Sequence, residues 1–141
     1  MSRRSVVRLI DANANRALEG LRVCEDVVRF HLEHQRLYQR LRRLRHATAR
    51  AVHALPVTAR ELVGARDSRH DLGRAASASR IRSLEHALVI NLQRAKEALR
   101  VLEECARLLA PRSARIFQRL RFEVYDVEQA ILLHVAALRH R

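Results

Sequence analysis

The chain has no tryptophan, three phenylalanines, two tyrosines, three glycines and two prolines in 141 residues. So few aromatic and turn-forming residues exclude a fold of many short strands and tight turns, and leave helices as the main element. Lysine is almost missing too. Lys96 is the single one, so the formal charge of +13 rests on arginine. No apolar run approaches the roughly 20 residues that a membrane helix requires. Cys24 and Cys105 lie in apolar helical contexts at non-equivalent places, and read as buried reduced thiols rather than a disulfide. The eight histidines show no clustered spacing with cysteine, which argues against a zinc site. Ser2-Arg3-Arg4-Ser5 is followed by Arg8 and Asp11 instead of an apolar stretch, so no signal peptide is expected and the expected location is cytoplasmic.

What the chain does contain is one segment twice. Residues 13–29, Asn-Ala-Asn-Arg-Ala-Leu-Glu-Gly-Leu-Arg-Val-Cys-Glu-Asp-Val-Val-Arg, return at 91–107 as Asn-Leu-Gln-Arg-Ala-Lys-Glu-Ala-Leu-Arg-Val-Leu-Glu-Glu-Cys-Ala-Arg. Nine of the seventeen positions are identical, and six of the nine are polar: Asn13, Arg16, Glu19, Arg22, Glu25 and Arg29 recur as Asn91, Arg94, Glu97, Arg100, Glu103 and Arg107. Packing alone would mainly preserve apolar positions, because many residues of suitable size fill a core. A polar set kept twice points to a binding or catalytic constellation.

Apolar residues at helical spacing predict four long helices, over about 6–32, 34–55, 84–109 and 113–138. Pro56 ends the second, Ser83 is placed to cap the third, and Pro111 breaks it. Gln39-Arg40-Leu41-Arg42 returns as Gln118-Arg119-Leu120-Arg121, so the repeat reaches into the following helix. The expected fold is therefore all-α: one domain over 1–141, built from two helical hairpins at about 6–55 and 83–138 with pseudo-twofold symmetry. A middle loop over about 56–82 is longer than the 2–8 residues that usually join bundle helices, which makes it a functional candidate.

At 100° per residue, Arg16, Glu19 and Arg22 fall on the side of the first helix opposite its main apolar stripe, with Ala12, Val23 and Val27 among them. Ile90, Val101 and Cys105 surround Arg94 and Glu97 in the same way. A solvated face has no use for a second apolar strip, so the Arg/Glu faces are expected to be covered. A covered charge must be paired or serve a ligand; i,i+3 ion pairs on a helix surface are the plainer alternative. The middle loop adds Gly64-Ala-Arg-Asp-Ser-Arg-His-Asp-Leu-Gly73. There Arg66 and Arg69 can grip phosphate oxygens bidentately, and Asp67 and Asp71 offer hard oxygen ligands to a divalent ion. No Gly-rich phosphate loop is present.

The string Asp11-Ala-Asn-Ala-Asn-Arg-Ala-Leu-Glu-Gly-Leu-Arg-Val-Cys-Glu-Asp, with Leu44-Arg-His, Ala65-Arg-Asp-Ser-Arg-His-Asp-Leu-Gly and the second copy from Asn91, resembles the small hydroxymethylpyrimidine-phosphate kinases of thiamine biosynthesis. These occur alone or fused ahead of thiamine-phosphate synthase, and the likeness covers about residues 8–131. The resemblance implies ATP-dependent phosphorylation of hydroxymethylpyrimidine monophosphate to the diphosphate, with ATP and Mg2+ as cofactors and a link to thiamine-phosphate synthase. On chemical grounds the expected roles are Arg16, Glu19, Arg94 and Glu97 at the reacting groups, and Asn13, Arg22, Asn91 and Arg100 on the substrate. Arg66 and Arg69 would hold nucleotide phosphates, and Asp67 and Asp71 the metal. A homodimer and a phosphorylated pyrimidine are the expected partners, and no membrane. An arginine-rich nucleic-acid-binding bundle and a chorismate-mutase-like helical enzyme are the alternatives. Few aromatics for stacking on bases stand against the first.

Overall fold

The computed structural model describes residues 2–140, and among these every regular element is a helix. Helix α1 runs Arg3–Val27, with the Ser2 hydroxyl accepting from the Ser5 backbone N–H at its start. It closes through a wider π turn, Val28–Leu32, and Glu33 stops it in the left-handed region at φ 52°. Helix α2 is Gln35–His53, α3 is Ala59–Ala65, α4 is Leu84–Leu109 and α5 is Pro111–Arg139. Ser83 caps α4 through His86 N–H, as its position predicts. Pro111 stands in the first turn of α5, where its missing N–H leaves no partner wanting.

The four long helices appear where apolar periodicity places them, and α3 is the one the sequence reading misses. Its signal was present: the Thr58 hydroxyl accepts from Glu61 N–H while the Glu61 carboxylate accepts from Thr58 N–H, a capping box inside the stretch read as loop.

One apolar core runs through α1, α2, α4 and α5. Helix α1 packs on α4, α2 on α1, α5 on α4, and α2 and α5 close the ring. The α1–α4 pair is antiparallel: Gly20 lies against Asn91 and Ala95, while the Cys24 thiol, further along α1, meets the carbonyl of Leu88, earlier on α4. A Cβ on Gly20 would stand 3.1 Å from the Asn91 carbonyl oxygen, so the backbones approach too closely there for a larger side chain.

This direction gives the over-long connection a structural reason, where its length alone makes it a functional candidate. The end of α2 lies at the start of α1, where Arg3 Nη2 donates to the Pro56 carbonyl at 2.9 Å. Helix α4 begins beside Cys24, at the other end of α1. The chain must travel about 30 Å along the bundle between the two, which a short turn cannot span. No described helix is long and apolar enough to cross a membrane.

Both cysteines are free and buried. Burial pushes the Cys24 thiol up to about 12, and burial likewise raises Cys105. Because the folded values lie above the unfolded ones, this contribution to stability is complete below about pH 9 and is lost as pH rises toward 12. Two outcomes are expected. A thiol reagent at neutral pH leaves Cys24 unlabelled until denaturant opens the fold, as mass spectrometry would show. Gly20→Val costs about 1–3 kcal/mol by overpacking, read as a lower denaturant midpoint, and no change in midpoint would mean that α1 and α4 yield at this contact.

Candidate functional site

The close approach of α1 and α4 brings the repeated polar residues together. A groove of about 490 Å³ is lined by Asn13, Arg16, Glu19 and Gly20 of α1 and by Asn91, Arg94, Glu97, Ala98 and Val101 of α4. Apart from Val101, each lining residue of one helix has its repeat counterpart in the other. Gly20 and Ala98 are one such pair. They are small in both copies, a signal of the groove that the sequence reading did not use.

Asn13 and Asn91 are buried and held alike. Nδ2 of each donates to the carbonyl four residues earlier, Leu9 at 2.9 Å and Ala87 at 2.8 Å. Neither Oδ1 accepts from a described residue, and neither is sealed from solvent. The groove therefore offers two fixed acceptors with the orientation of each amide set by its own helix.

Arg16, Glu19, Arg94 and Glu97 also reach the groove, but they are exposed. The expectation that these faces are covered within the chain is corrected here. The second apolar strip is divided instead: Val27 and Cys105 are buried, Ile90 and Val101 are half-buried, and Val23 is exposed. None of the four charged groups lies within 4 Å of an opposite charge among the described residues. Two guanidinium and two carboxylate groups thus share one concavity without pairing one another.

Arg22 and Arg100, expected on the substrate, do not line the groove. Arg22 pairs with Asp26 at 3.4 Å, and Arg100 reaches Glu103 at 3.5 Å and Glu104 at 3.4 Å. Another repeated residue is used structurally. Glu25 accepts a fork from Arg45, at 2.6 Å from Nε and 3.3 Å from Nη2, and its counterpart Glu103 accepts from Arg121 Nη2 at 3.3 Å. Both glutamates are buried, so these pairs tie α1 to α2 and α4 to α5.

The middle connection does not fold over the groove. Arg66 forks onto the buried Asp11, with Nε at 2.8 Å and Nη2 at 2.7 Å, and Arg8 donates to the Asp67 carbonyl. Asp11 lies about 160° around α1 from Asn13, so this contact sits on a different face of the helix. The Asp67 carboxylate bonds His70 at 3.0 Å, which holds its pKa below the usual range, and Asp71 accepts from Gly73 N–H at 2.7 Å. Arg69 is exposed. Both carboxylates have partners within the connection, and no three His, Cys, Asp or Glu side chains converge among the described residues. The bond to Asp11 raises the Arg66 pKa, and losing it strands a buried carboxylate. Arg66→Ala is accordingly expected to lower the melting temperature while leaving ligand affinity at the groove unchanged. Equal melting curves would show the Asp11 contact to be dispensable.

The ThiD2 family pattern matches residues 8–130. Among curated relatives, the thiamine-phosphate synthase of Synechocystis sp. is 38% identical over 134 residues, covering 91% of this chain and 36% of that protein. The thiamine-phosphate synthase of Synechococcus sp. strain CC9311 is 42% identical, covering 90% and 35%, and that of Rhodopirellula baltica 34%, covering 98% and 37%. The chain thus spans little more than a third of the length of these relatives. No solved structure matches it. The relatives' names correct the expected activity: thiamine-phosphate synthase is a different step of thiamine biosynthesis from phosphorylation of hydroxymethylpyrimidine phosphate, and what they share with this chain is the pathway. On a match over nearly its whole length, the chain belongs to the ThiD2 family of thiamine biosynthesis.

Proposed function

We propose that this chain is the helical part of a thiamine-biosynthesis enzyme and that its α1–α4 groove binds a phosphorylated pyrimidine. The observation that carries the reading is the unpaired Arg16, Arg94, Glu19 and Glu97 set around the open Oδ1 atoms of Asn13 and Asn91. Guanidinium groups match phosphate oxygens bidentately, which an ammonium does not. Carboxylates and carboxamide oxygens accept hydrogen bonds, and an aminopyrimidine edge donates them. A groove with equal numbers of cations and anions suits a ligand with an anionic end and a donor end, better than it suits a polyanion. At about 490 Å³ it has the size of a small-molecule site. In the longer relatives the equivalent segment would hold such a ligand beside the remainder of the synthase chain.

Calorimetric titration of 4-amino-5-hydroxymethyl-2-methylpyrimidine phosphate into the chain tests this. Arg16→Ala and Arg94→Ala are each expected to weaken binding about tenfold, or about 1.4 kcal/mol. The non-phosphorylated pyrimidine should bind more weakly than its phosphate. Unchanged affinity in both variants would make the repeated arginines surface residues and end the reading.

A second copy on the same face is the other reading, favoured by a specific pattern. Leu9, Arg16 and Val23 are spaced by seven on α1, and Arg94, Val101 and Leu108 by seven on α4, so each line keeps to one face. Leu9 is 48% exposed and Leu108 59%, and in the antiparallel pair both lie toward the end where α1 begins and α4 finishes. A twofold contact centred on that end would set this apolar patch against its own copy. Sedimentation is expected to give a dimer that Leu9→Glu with Leu108→Glu converts to monomer. A monomeric parent chain would leave the face to the small ligand alone.

A further inference from the structure

At one position the second copy of the repeat carries a charge where the first is apolar. In the second copy Lys96 is 8% exposed, and its Nζ lies 2.9 Å from Glu128 Oε1 and 4.4 Å from the Tyr125 ring centre. The counterparts of Lys96 and Glu128 in the first copy are Leu18 and Ala49, at sequence offsets of 78 and 79. Where the second copy has this largely buried ion pair, the first has a half-buried leucine and an exposed alanine. Apolar residues usually serve stability at such a site as well or better, because burying two charges costs desolvation. The chain has spent its single lysine here, among many exposed arginines.

Lys96 opens onto a pocket of about 350 Å³ between α4 and α5, lined also by Gln93, Glu97, Arg100, Arg121 and Tyr125. Three of the six lining residues are cationic and Glu97, at the edge shared with the α1–α4 groove, is the one acid. Glu128 engages one of the three ammonium donors of Lys96. Glu103 holds Arg121 through Nη2, while Arg121 Nε is buried with no acceptor. Arg100 is half-exposed and meets its glutamates only at 3.4–3.5 Å, so it can turn toward an incoming group.

We propose that this pocket is an anion site that takes a phosphate group, with Lys96 and Arg100 as its donors and Gln93 at its side. Glu128 holds Lys96, and Glu103 holds Arg121 beside it, before the anion arrives, while Arg100 turns in from the rim. The site goes beyond the groove reading, since it belongs to the second copy alone and breaks the equivalence of the two repeats. It lies next to the groove at Glu97, so one phosphorylated ligand or a separate phosphate can use it.

The single lysine makes the test direct. The 141-residue chain labelled with 13C and 15N in lysine shows one lysine side-chain signal, titrated with inorganic phosphate at constant ionic strength against chloride. A saturable shift of the Lys96 Cε and Nζ signals with phosphate and none with chloride is expected. Arg100→Ala should weaken that response, and Arg16→Ala with Arg94→Ala should leave it intact. Lys96→Leu with Glu128→Ala transplants the first copy's residues, and is expected to melt no lower than the parent while losing phosphate affinity about tenfold or more. No saturable shift, or phosphate affinity surviving the transplant, overturns the proposal; so does loss of the shift in the Arg16/Arg94 variant, which would put the phosphate in the groove. If the transplant does not fold, the lysine titration and Arg100→Ala decide. The pyrimidine phosphate is the second arm. Binding tighter than inorganic phosphate, with the gain removed by Arg16→Ala, identifies one ligand reaching both sites, and equal binding identifies free phosphate.

Discussion

The contact at Gly20 governs this molecule. With no side chain there, α1 can lie against the Asn91 carbonyl and Ala95 of α4, and the antiparallel pair forms the centre of the bundle. From that single approach follow the groove, because residues flanking a close crossing stand over it, and the places of α2 and α5, each left one outer flank to cover. The long middle connection follows as well. Once α4 runs against α1, its start and the end of α2 lie at opposite ends of the bundle.

Charge is distributed so that attraction and selection are separate matters. Much of the net +13 lies along α2 and α5, where Arg40, Arg42, Arg43 and Arg50 face only Glu123 and Asp126 across a wide cleft. Such a field draws anions toward the protein as a whole. The α1–α4 groove is balanced, with Arg16 and Arg94 against Glu19 and Glu97. It therefore discriminates by where donors and acceptors stand, not by net charge. The buried pairs Glu25–Arg45 and Glu103–Arg121 do a third job. Each is costly to leave half-made, which favours one register between a repeat helix and its neighbour.

Much of the helical layout was legible because apolar periodicity is local. Ile10, Ala17, Leu21 and Cys24 on α1, and Leu120, Val124, Val127 and Ile131 on α5, are buried as their spacing predicts, whereas Ile116, expected on the α5 stripe, is 40% exposed and Phe117 is buried in its stead. Helix α3 was missed although Thr58 and Glu61 carry its cap, because seven residues show too little periodicity to stand out. The candidate site was half legible. Asn13, Arg16, Glu19 and their counterparts do share a groove, whereas Arg22, Arg100 and the Arg66–Asp71 stretch go elsewhere. An arginine side chain is long enough to choose among several carboxylates, and helix angle alone does not say which one it meets. Reading the apolar residues beside the Arg/Glu faces as a sign of a cover failed for a related reason: an apolar residue can border a seam without being hidden by a lid.

By itself the sequence determined the helical class, the positions of the long helices, the repeat with its polar set, and the family. These are carried by periodicity, capping residues and residue identity, all of which act over a few positions of the chain. Only the tertiary structure decided that the two copies face one another antiparallel, that Glu25 and Glu103 are anchors while Glu19 and Glu97 are free, and that Lys96 stands in a pocket where the other copy has leucine. Those outcomes depend on how closely two backbones can approach and on which charges burial leaves with a partner. Both are properties of residues far apart in the chain.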